Sequence, residues 1–447
     1  MPEHTQSLTT VGLAAAVLIG LMAVAPACAD VPGVTVALDE YDGPARVTCE
    51  AAGKHGVSLH LDPRGETEPL TIRVEVPTHW PVEDLWVTDA DGGPLAVRRR
   101  GIEWHRLFIP VPPAAASYLV APAPGTDPPQ LPPESARTAT DPVTGLQAEV
   151  CRWHDGRTAA LSIRFDDAHP THLSTVIPIL REHGLRGTFM INPGTDGFLA
   201  RRDEWEACAA RDDQEFANHT MHHRGAASDD EVRTEVGAAS EYIWSLFPHR
   251  SRLLALNRGG GTTWVTARPF REFLDEYHLF VPGGSLGMDD VYGERIEALR
   301  AHLNSHLERG LWCRIHYHSI GEGLAASEAN FRAAMELIKQ HQPELWIAGM
   351  ADIHKYQSER AATALSLENV GPTSALLRVA CLTDPDLYDQ PLTIRLALPE
   401  AWRGGQVTVA DAPDQALATR AVPGSGDAAL MLDVPPAEAE YLIRPAP

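Results

Sequence analysis

Positive charge is scarce in this chain. Lys and Arg together number 37 against 60 Asp and Glu, a formal charge of −23 at pH 7. Such a chain is a poor partner for nucleic acid or an anionic membrane surface, and a neutral or cationic polymer suits it better. Long apolar runs are scarce too. The one run of any length, residues 11–25, is too short and too rich in small residues to span a bilayer comfortably. Ala27-Cys28-Ala29 follows it as an A-x-A cleavage signal, so residues 1–29 read as a secretory signal peptide, though no Lys or Arg precedes the apolar run. Ala25-Pro26-Ala27 is a poor lipobox for Cys28. With the signal removed no transmembrane segment is expected, and the expected location is periplasmic or extracellular. No C-x-x-C is present, and cleavage after Ala29 leaves Cys49, Cys151, Cys208, Cys313 and Cys381. Five cysteines cannot all pair, so they read as small buried hydrophobes; a disulfide is permitted in an export compartment but not implied. Nor is there an H-E-x-x-H, which removes the usual signature of a zinc peptidase.

What is present is concentrated in residues 161–223. Leu161-Ser-Ile-Arg-Phe165 alternates like a short buried strand and ends on Asp166-Asp167. About fifty residues later comes Asn218-His219-Thr220-Met221-His222-His223. His219 and His223 stand four apart, and one helical turn would place both imidazoles on one face, within reach of one metal ion. An adjacent carboxylate can complete a two-His, one-carboxylate set with a position left open, which is a catalytic rather than a structural zinc pattern. The bland alternatives are a helix N-cap at Asp166-Asp167 and a chance histidine pair in a chain of 20 His.

The order of these residues resembles the polysaccharide deacetylases, the carbohydrate esterase family 4 or NodB-homology group. That family carries F-D-D-G after a strand and then H-[S/T]-x-x-H. Here the two motifs are Phe165-Asp166-Asp167-Ala168 and His219-Thr220-Met221-His222-His223, with Ala168 in place of the glycine. The resemblance covers roughly residues 150–360. It implies a divalent metal held by Asp167, His219 and His223, with zinc the default and cobalt, nickel or iron able to substitute. It also implies Asp166 as general base, a late-strand histidine as acid, and an arginine that orients the base. Trp312-Cys-Arg-Ile-His-Tyr-His-Ser-Ile-Gly321 offers two histidines, and His318 fits the family pattern better than His316. Arg258, in Asn257-Arg258-Gly259-Gly260-Gly261, is the arginine that can carry over, because a guanidinium can pair bidentately with a carboxylate. The family's Asp and Trp motif is reduced to a remnant at Leu286 to Tyr292. His169, His172 and His222 are read as surface or supporting residues.

From residue 150, strand-like runs at 161–165, 187–192, 214–218, 252–257, 278–281, 311–318 and 345–349 alternate with helical patterns. Pro178 should kink the first helix, Gly184 should close it, and Ser228-Asp-Asp-Glu231 is a capping box. Seven β/α units point to a parallel sheet closed into a barrel, and the resemblance sharpens this to a distorted seven-stranded (β/α) barrel with catalytic groups at strand C-termini.

Residues 30–122 alternate apolar and polar residues between Gly, Pro and Asp turns, as an antiparallel sandwich does. Residues 363–447 repeat this stretch. Arg46-Val-Thr-Cys49 answers Arg378-Val-Ala-Cys381, Pro69-Leu-Thr-Ile-Arg73 answers Pro391-Leu-Thr-Ile-Arg395, and Trp80 falls on Trp402. Val111-Pro-Pro-Ala114 matches Val434-Pro-Pro-Ala437, and Tyr118 matches Tyr441. The chain therefore reads as a signal peptide (1–29), a first β-sandwich (30–122), a Pro-rich linker (123–149), a catalytic domain (150–362) and a second, duplicated β-sandwich (363–447). The tryptophans suit a shared core role better than a sugar platform. The expected function is removal of N- or O-linked acetyl groups from an acetylated polysaccharide or oligosaccharide by an exported, metal-dependent hydrolase. The alternative is a catalytically inactive carbohydrate-binding surface protein.

Overall fold

A computed structural model describes residues 28, 30–100, 104–125, 129–321, 325–411, 415–422 and 424–446. The proposed signal peptide falls, Cys28 apart, outside these residues. No helix among the described residues is long and apolar enough to cross a membrane.

Each of the seven runs read as strands in the middle of the chain contains one: Ala159–Phe165, Thr188–Ile191, Glu215–Asn218, Leu254–Ala255, Leu279–Phe280, Trp312–Tyr317 and Leu345–Ile347. Ala159–Phe165 is central and wholly buried. It pairs in parallel with Trp312–Tyr317 on one side, and on the other with Thr188–Ile191 and Leu345–Ile347. Thr188–Ile191 carries Glu215–Asn218, a bridge from Asn218 to Leu256 continues outward, and Leu254–Ala255 carries Leu279–Phe280. At the other edge the short strand Leu286–Gly287 lies on Trp312–Tyr317. All these pairings are parallel, and helices such as Ile177–His183, Ala238–Leu246, Arg295–Arg309 and Glu328–Gln340 fall between strands. Among the described residues no ladder joins Leu279–Phe280 to Leu286–Gly287, so the parallel pairing is continuous except at that one seam of the expected distorted barrel. Pro282, Gly283 and Gly284 separate the two strands; proline has no N–H to give a ladder, and glycine weakens one.

Local expectations fare variously. Ser228 caps helix Asp229–Val232, its Oγ accepting from the Glu231 amide at 3.2 Å. Gly184 ends helix Ile177–His183 in the left-handed conformation, at φ 65°. Pro178 sits in the first turn of that helix, and the strain expected of it is taken up by a wider, π-type turn at His172–Val176.

The two flanking sandwiches have one strand order. In the first, Arg46–Ala51, Val57–Asp62, Ala116–Pro122 and Leu85–Asp89 form one sheet in that sequence; in the second, Thr363–Gly371, Ser374–Cys381, Ala439–Pro445 and Val407–Asp411 do the same. The facing sheets correspond as well, Leu70–Glu75 with Leu392–Ala397 and Arg106–Val111 with Ala429–Val434. The register corrects one match. Leu59 opposes Tyr118 and Leu377 opposes Tyr441, so Ser374–Cys381 answers Val57–Asp62, and Arg46–Cys49 corresponds to the Thr363–Gly371 strand rather than to Arg378–Cys381. Trp80 and Trp402 are both buried.

Thr138–Thr140 and Gln147–Val150, read as linker, are strands, and Gln147–Val150 pairs antiparallel with Leu392–Ala397. They supply the second sandwich with the edge that Thr35–Leu38 gives the first. Cys49 is not a lone thiol: it is bonded to Cys28, whereas Cys151, Cys208, Cys313 and Cys381 are free. A cut after Ala29 would remove Cys28, so this disulfide and that cleavage point are incompatible.

Neither sandwich hangs on a tether. Strand Thr263–Thr266 of the central domain extends the first sandwich's sheet, pairing antiparallel with Val97–Arg100. Buried Arg99 donates to Thr266 Oγ1 and the Leu85 carbonyl, both at 2.8 Å, and Trp104 packs against Trp264 and Phe270. The second sandwich shares a core with the starts of the central strands: Ala160 and Trp312 belong to one buried cluster with Trp153, Tyr356, Leu377, Ile394 and Trp402.

Candidate metal and acid–base centre

The central strand runs straight into the site. Residues two apart on a strand share a face, so Arg164 and Asp166 point the same way. The Arg164 guanidinium lies along the Asp166 carboxylate, with Nε 2.9 Å from Oδ1 and an Nη donating to Oδ2 at 3.0 Å. Asn257 Nδ2 donates to the same Oδ2 at 3.1 Å. Asp166 is buried. Burial opposes its charge, but the Arg164 cation and the surrounding histidines hold its carboxyl below the usual carboxylate range.

After Asp166 the backbone turns through two left-handed residues, Asp167 at φ 74° and Ala168 at φ 47°. The second explains why the related motif prefers glycine there: an L-residue in this region costs about 1–2 kcal/mol. His219 and His223 come together by a similar device. They are not on a helix, as their spacing suggested, but on a loop bent by Thr220 at φ 67° and His223 at φ 57°. Thr220 Oγ1 accepts from the His223 amide at 2.9 Å, and the rings lie 4.6 Å apart, centroid to centroid. Four of the nine left-handed non-glycine residues among those described thus cluster at one place, as strained backbone tends to do at functional sites.

Asp167, His219 and His223 can hold a metal ion; one donor atom from each lies within 4.8 Å of the others. Their chemistry fits. His219 Nδ1 is 2.8 Å from the Asn257 carbonyl, which can only accept, so the proton sits on Nδ1 and Nε2 keeps its lone pair. That Nε2 faces Asp167 Oδ1 at 3.1 Å, and His223 Nε2 faces the same oxygen at 3.7 Å. As a carboxylate, Asp167 supplies the anionic donor of the set. Buried Glu235 anchors the loop, accepting from the His222 amide at 2.8 Å and Arg224 Nε at 2.9 Å, with His222 Nδ1 also 2.8 Å away.

The two late histidines part company. Strand Leu286–Gly287 lies beside Trp312–Tyr317 with Gly287 opposite His316, which brings Asp289 level with His318. Asp289 Oδ2 is 2.6 Å from His318 Nδ1, and Oδ1 accepts from the His318 amide at 3.1 Å. This contact raises the His318 imidazolium above its ordinary range, whereas burial and the nearby Arg164 cation push His316 down to about 4. Of the two, His318 is thus the one whose protonated form is favoured. Buried His172 donates Nε2–H to the His318 carbonyl at 2.6 Å and braces the same strand end, while His169 turns to Thr171.

Arg258 is elsewhere. Its Nη1 is 3.1 Å from Glu83 Oε1 on the first sandwich, and its guanidinium lies 3.5 Å over the Trp104 ring. The guanidinium on Asp166 is that of Arg164, so the expectation that Arg258 orients the base is corrected. Sequence reasoning missed Arg164, Asn257, Asp289 and Glu235. The strand alternation carried a signal for Arg164, a charge aimed at the same face as Asp166; the other three are set by tertiary register.

Residues 154–267 match the family described as Polysaccharide deacetylase. A gellan lyase of Bacillus sp is 21% identical over 332 residues, which cover 64% of this chain and 13% of that protein. Among solved structures, a family 4 carbohydrate esterase from Streptomyces lividans in complex with acetate is 19% identical, over 44% of this chain and 94% of that one, with a TM-score of 0.34. A peptidoglycan deacetylase from Bacillus subtilis is 13% identical, over 44% and 90%, with a TM-score of 0.32. A family 4 pseudoenzyme from Bacillus anthracis is 14% identical, over 45% and 66%, with a TM-score of 0.33. Both motifs, Phe165 to Ala168 and His219 to His223, fall within the segment 154–267 that matches the polysaccharide deacetylase family.

Proposed function

We propose that this chain is an exported, metal-dependent deacetylase that hydrolyses N- or O-linked acetyl groups on a glycan, from a central domain of seven-stranded (β/α) barrel descent. The carrying observation is geometric: Asp166 is paired with Arg164 and His318 with Asp289, and both stand at strand ends beside the three-donor set of Asp167, His219 and His223. Asp166, kept charged by Arg164, accepts a proton from the attacking water. The water oxygen bonds to the acetyl carbon, the bond to the sugar nitrogen or oxygen breaks, and His318 gives its proton to the departing amine or alkoxide. Asp289 keeps His318 charged for that transfer, and Asn257 fixes Asp166 and His219 relative to each other. A divalent ion held by Asp167, His219 and His223 would polarise the acetyl carbonyl and lower the pKa of water.

Export is supported by the apolar run at residues 11–25 and the Ala27-Cys28-Ala29 signal that follows it. Acetate release from a panel of acetylated glycans, with and without a chelator, is the test. Release that stops with chelator and returns with zinc is expected; no release from any glycan would leave a binding protein.

A further inference from the structure

Between the first sandwich and the central domain lies a cleft of about 570 Å³, within the range of small-ligand sites, about 300–1,000 Å³. Thr78, Glu83 and His105 line it from the sandwich; Arg164, Asn257 and His316 line it from the central domain. Arg164 and Asn257 are the two residues that hold Asp166, so the cleft opens directly beside the proposed base. The sandwich wall is fixed in place by the shared sheet at Thr263–Thr266 and by two ion pairs, Arg258 with Glu83 at 3.1 Å and Arg271 with Asp84 at 2.8 Å.

The geometry points to this cleft as the subsite for a sugar next to the acetylated one, with the first sandwich forming one wall of the active site. This rests on the deacetylase reading and extends it to a substrate class: a neutral glycan longer than one residue. The charges in the wall are already matched, Arg164 by Asp166 and Arg258 by Glu83. Matched charges and amide, hydroxyl and imidazole groups suit sugar hydroxyls, and would not reward a uronate or phosphate. Tyr292 stands against Gly287, as does His316 of the cleft, and is 52% exposed; an exposed tyrosine offers a sugar ring an apolar face with a polar edge.

The test fills the cleft from each side. Thr78 is exposed on the sandwich, and a Cβ at Gly284 would meet nothing within 4 Å, so Thr78→Trp and Gly284→Trp can enter without displacing a core residue. The probes are N-acetylglucosamine and acetylated xylose, each as monomer through hexamer. Binding to the Asp166→Asn chain is measured by calorimetry, and acetate release by the unsubstituted chain in parallel. The hexamer of one series is expected to bind at least tenfold more tightly than its monomer, and each tryptophan variant to erase that preference with its melting temperature and bound metal retained. Equal affinity for monomer and hexamer, no binding of any hexamer, or a length preference that survives both tryptophans would overturn the subsite. Length-dependent binding without acetate release would instead overturn the deacetylase reading and leave the subsite standing.

Discussion

Arg164 reaches Asp166 from two residues back on the same strand, with Nε 2.9 Å from Oδ1 and an Nη 3.0 Å from Oδ2. A guanidinium paired in this way, with one hydrogen bond from Nη to Oδ2, stabilises the carboxylate form. Removing it should raise the Asp166 pKa, and a base that must be ionised is then lost at higher pH. Arg164→Gln is expected to move the acid limb of kcat/KM upward by about one to three pH units. A pH–rate profile decides it; an unmoved acid limb would show that the pair only braces the strand.

The metal set should separate from the base by substitution. Asp166→Asn keeps the shape and much of the hydrogen bonding but cannot take a proton, so turnover should fall by about 10² to 10⁴ with metal content intact. His219→Ala and His223→Ala should lose the metal as well. Elemental analysis of chain purified without added metal provides the count, with one ion per molecule expected. If Asp166→Asn strips the metal and Asp167→Asn does not, the two aspartates have each other's roles.

Glu235→Gln offers a subtler case. Glu235 touches none of the three donors but ties down His222 and Arg224 on the loop that bears His223. Supporting residues of this kind typically change metal affinity by about 10- to 100-fold. Competition with a chromogenic chelator should show zinc held that much more weakly, with Asp166-dependent chemistry restored at saturating metal.

How much of this was legible in the sequence depends on the range of each contact. Asp166, Asp167, His219 and His223 were legible because a motif is a local pattern, and the seven strands because buried runs alternate with helical ones. The helical placing of His219 and His223 failed, since four-residue spacing is ambiguous and left-handed Thr220 and His223 make the turn instead. Asp289 was hidden because only the parallel register of Leu286–Gly287 beside Trp312–Tyr317 carries it to His318. The match of Cys49 to Cys381 failed because short β repeats resemble one another in neighbouring strands, and only cross-strand partners such as Leu59 with Tyr118 fix the register.

Asp289 and His318 make a prediction with a sign. The proposed acid must be protonated, so activity falls as pH rises through its pKa. The Asp289 contact raises that pKa and extends activity to higher pH. Asp289→Asn should therefore bring the alkaline limb of kcat down in pH. His318→Ala should slow amide or alkyl ester substrates far more than an aryl acetate, whose leaving group needs little protonation. His316→Ala should show no such contrast, because His316 is neutral near pH 7.

Arg258 supplies the counter-test to Arg164. Its guanidinium is buried between Glu83 and the Trp104 ring, at the seam where the first sandwich meets the central domain. Cutting one member of a buried pair strands the other, at about 3–5 kcal/mol where both are dry. Glu83 retains 19% side-chain exposure, so water can reach it, and about 2–3 kcal/mol is the better expectation for Arg258→Ala. Replacing both partners by apolar residues, as in Arg258→Met with Glu83→Leu, should recover most of that loss, since neither charge is then left alone. Urea unfolding of the single and double variants measures both quantities. The acid limb of kcat/KM should stay where it is in Arg258→Ala, because Arg164 still covers Asp166. An acid limb that rises in Arg258→Ala, with unfolding unchanged, would return to Arg258 the role its sequence position first suggested.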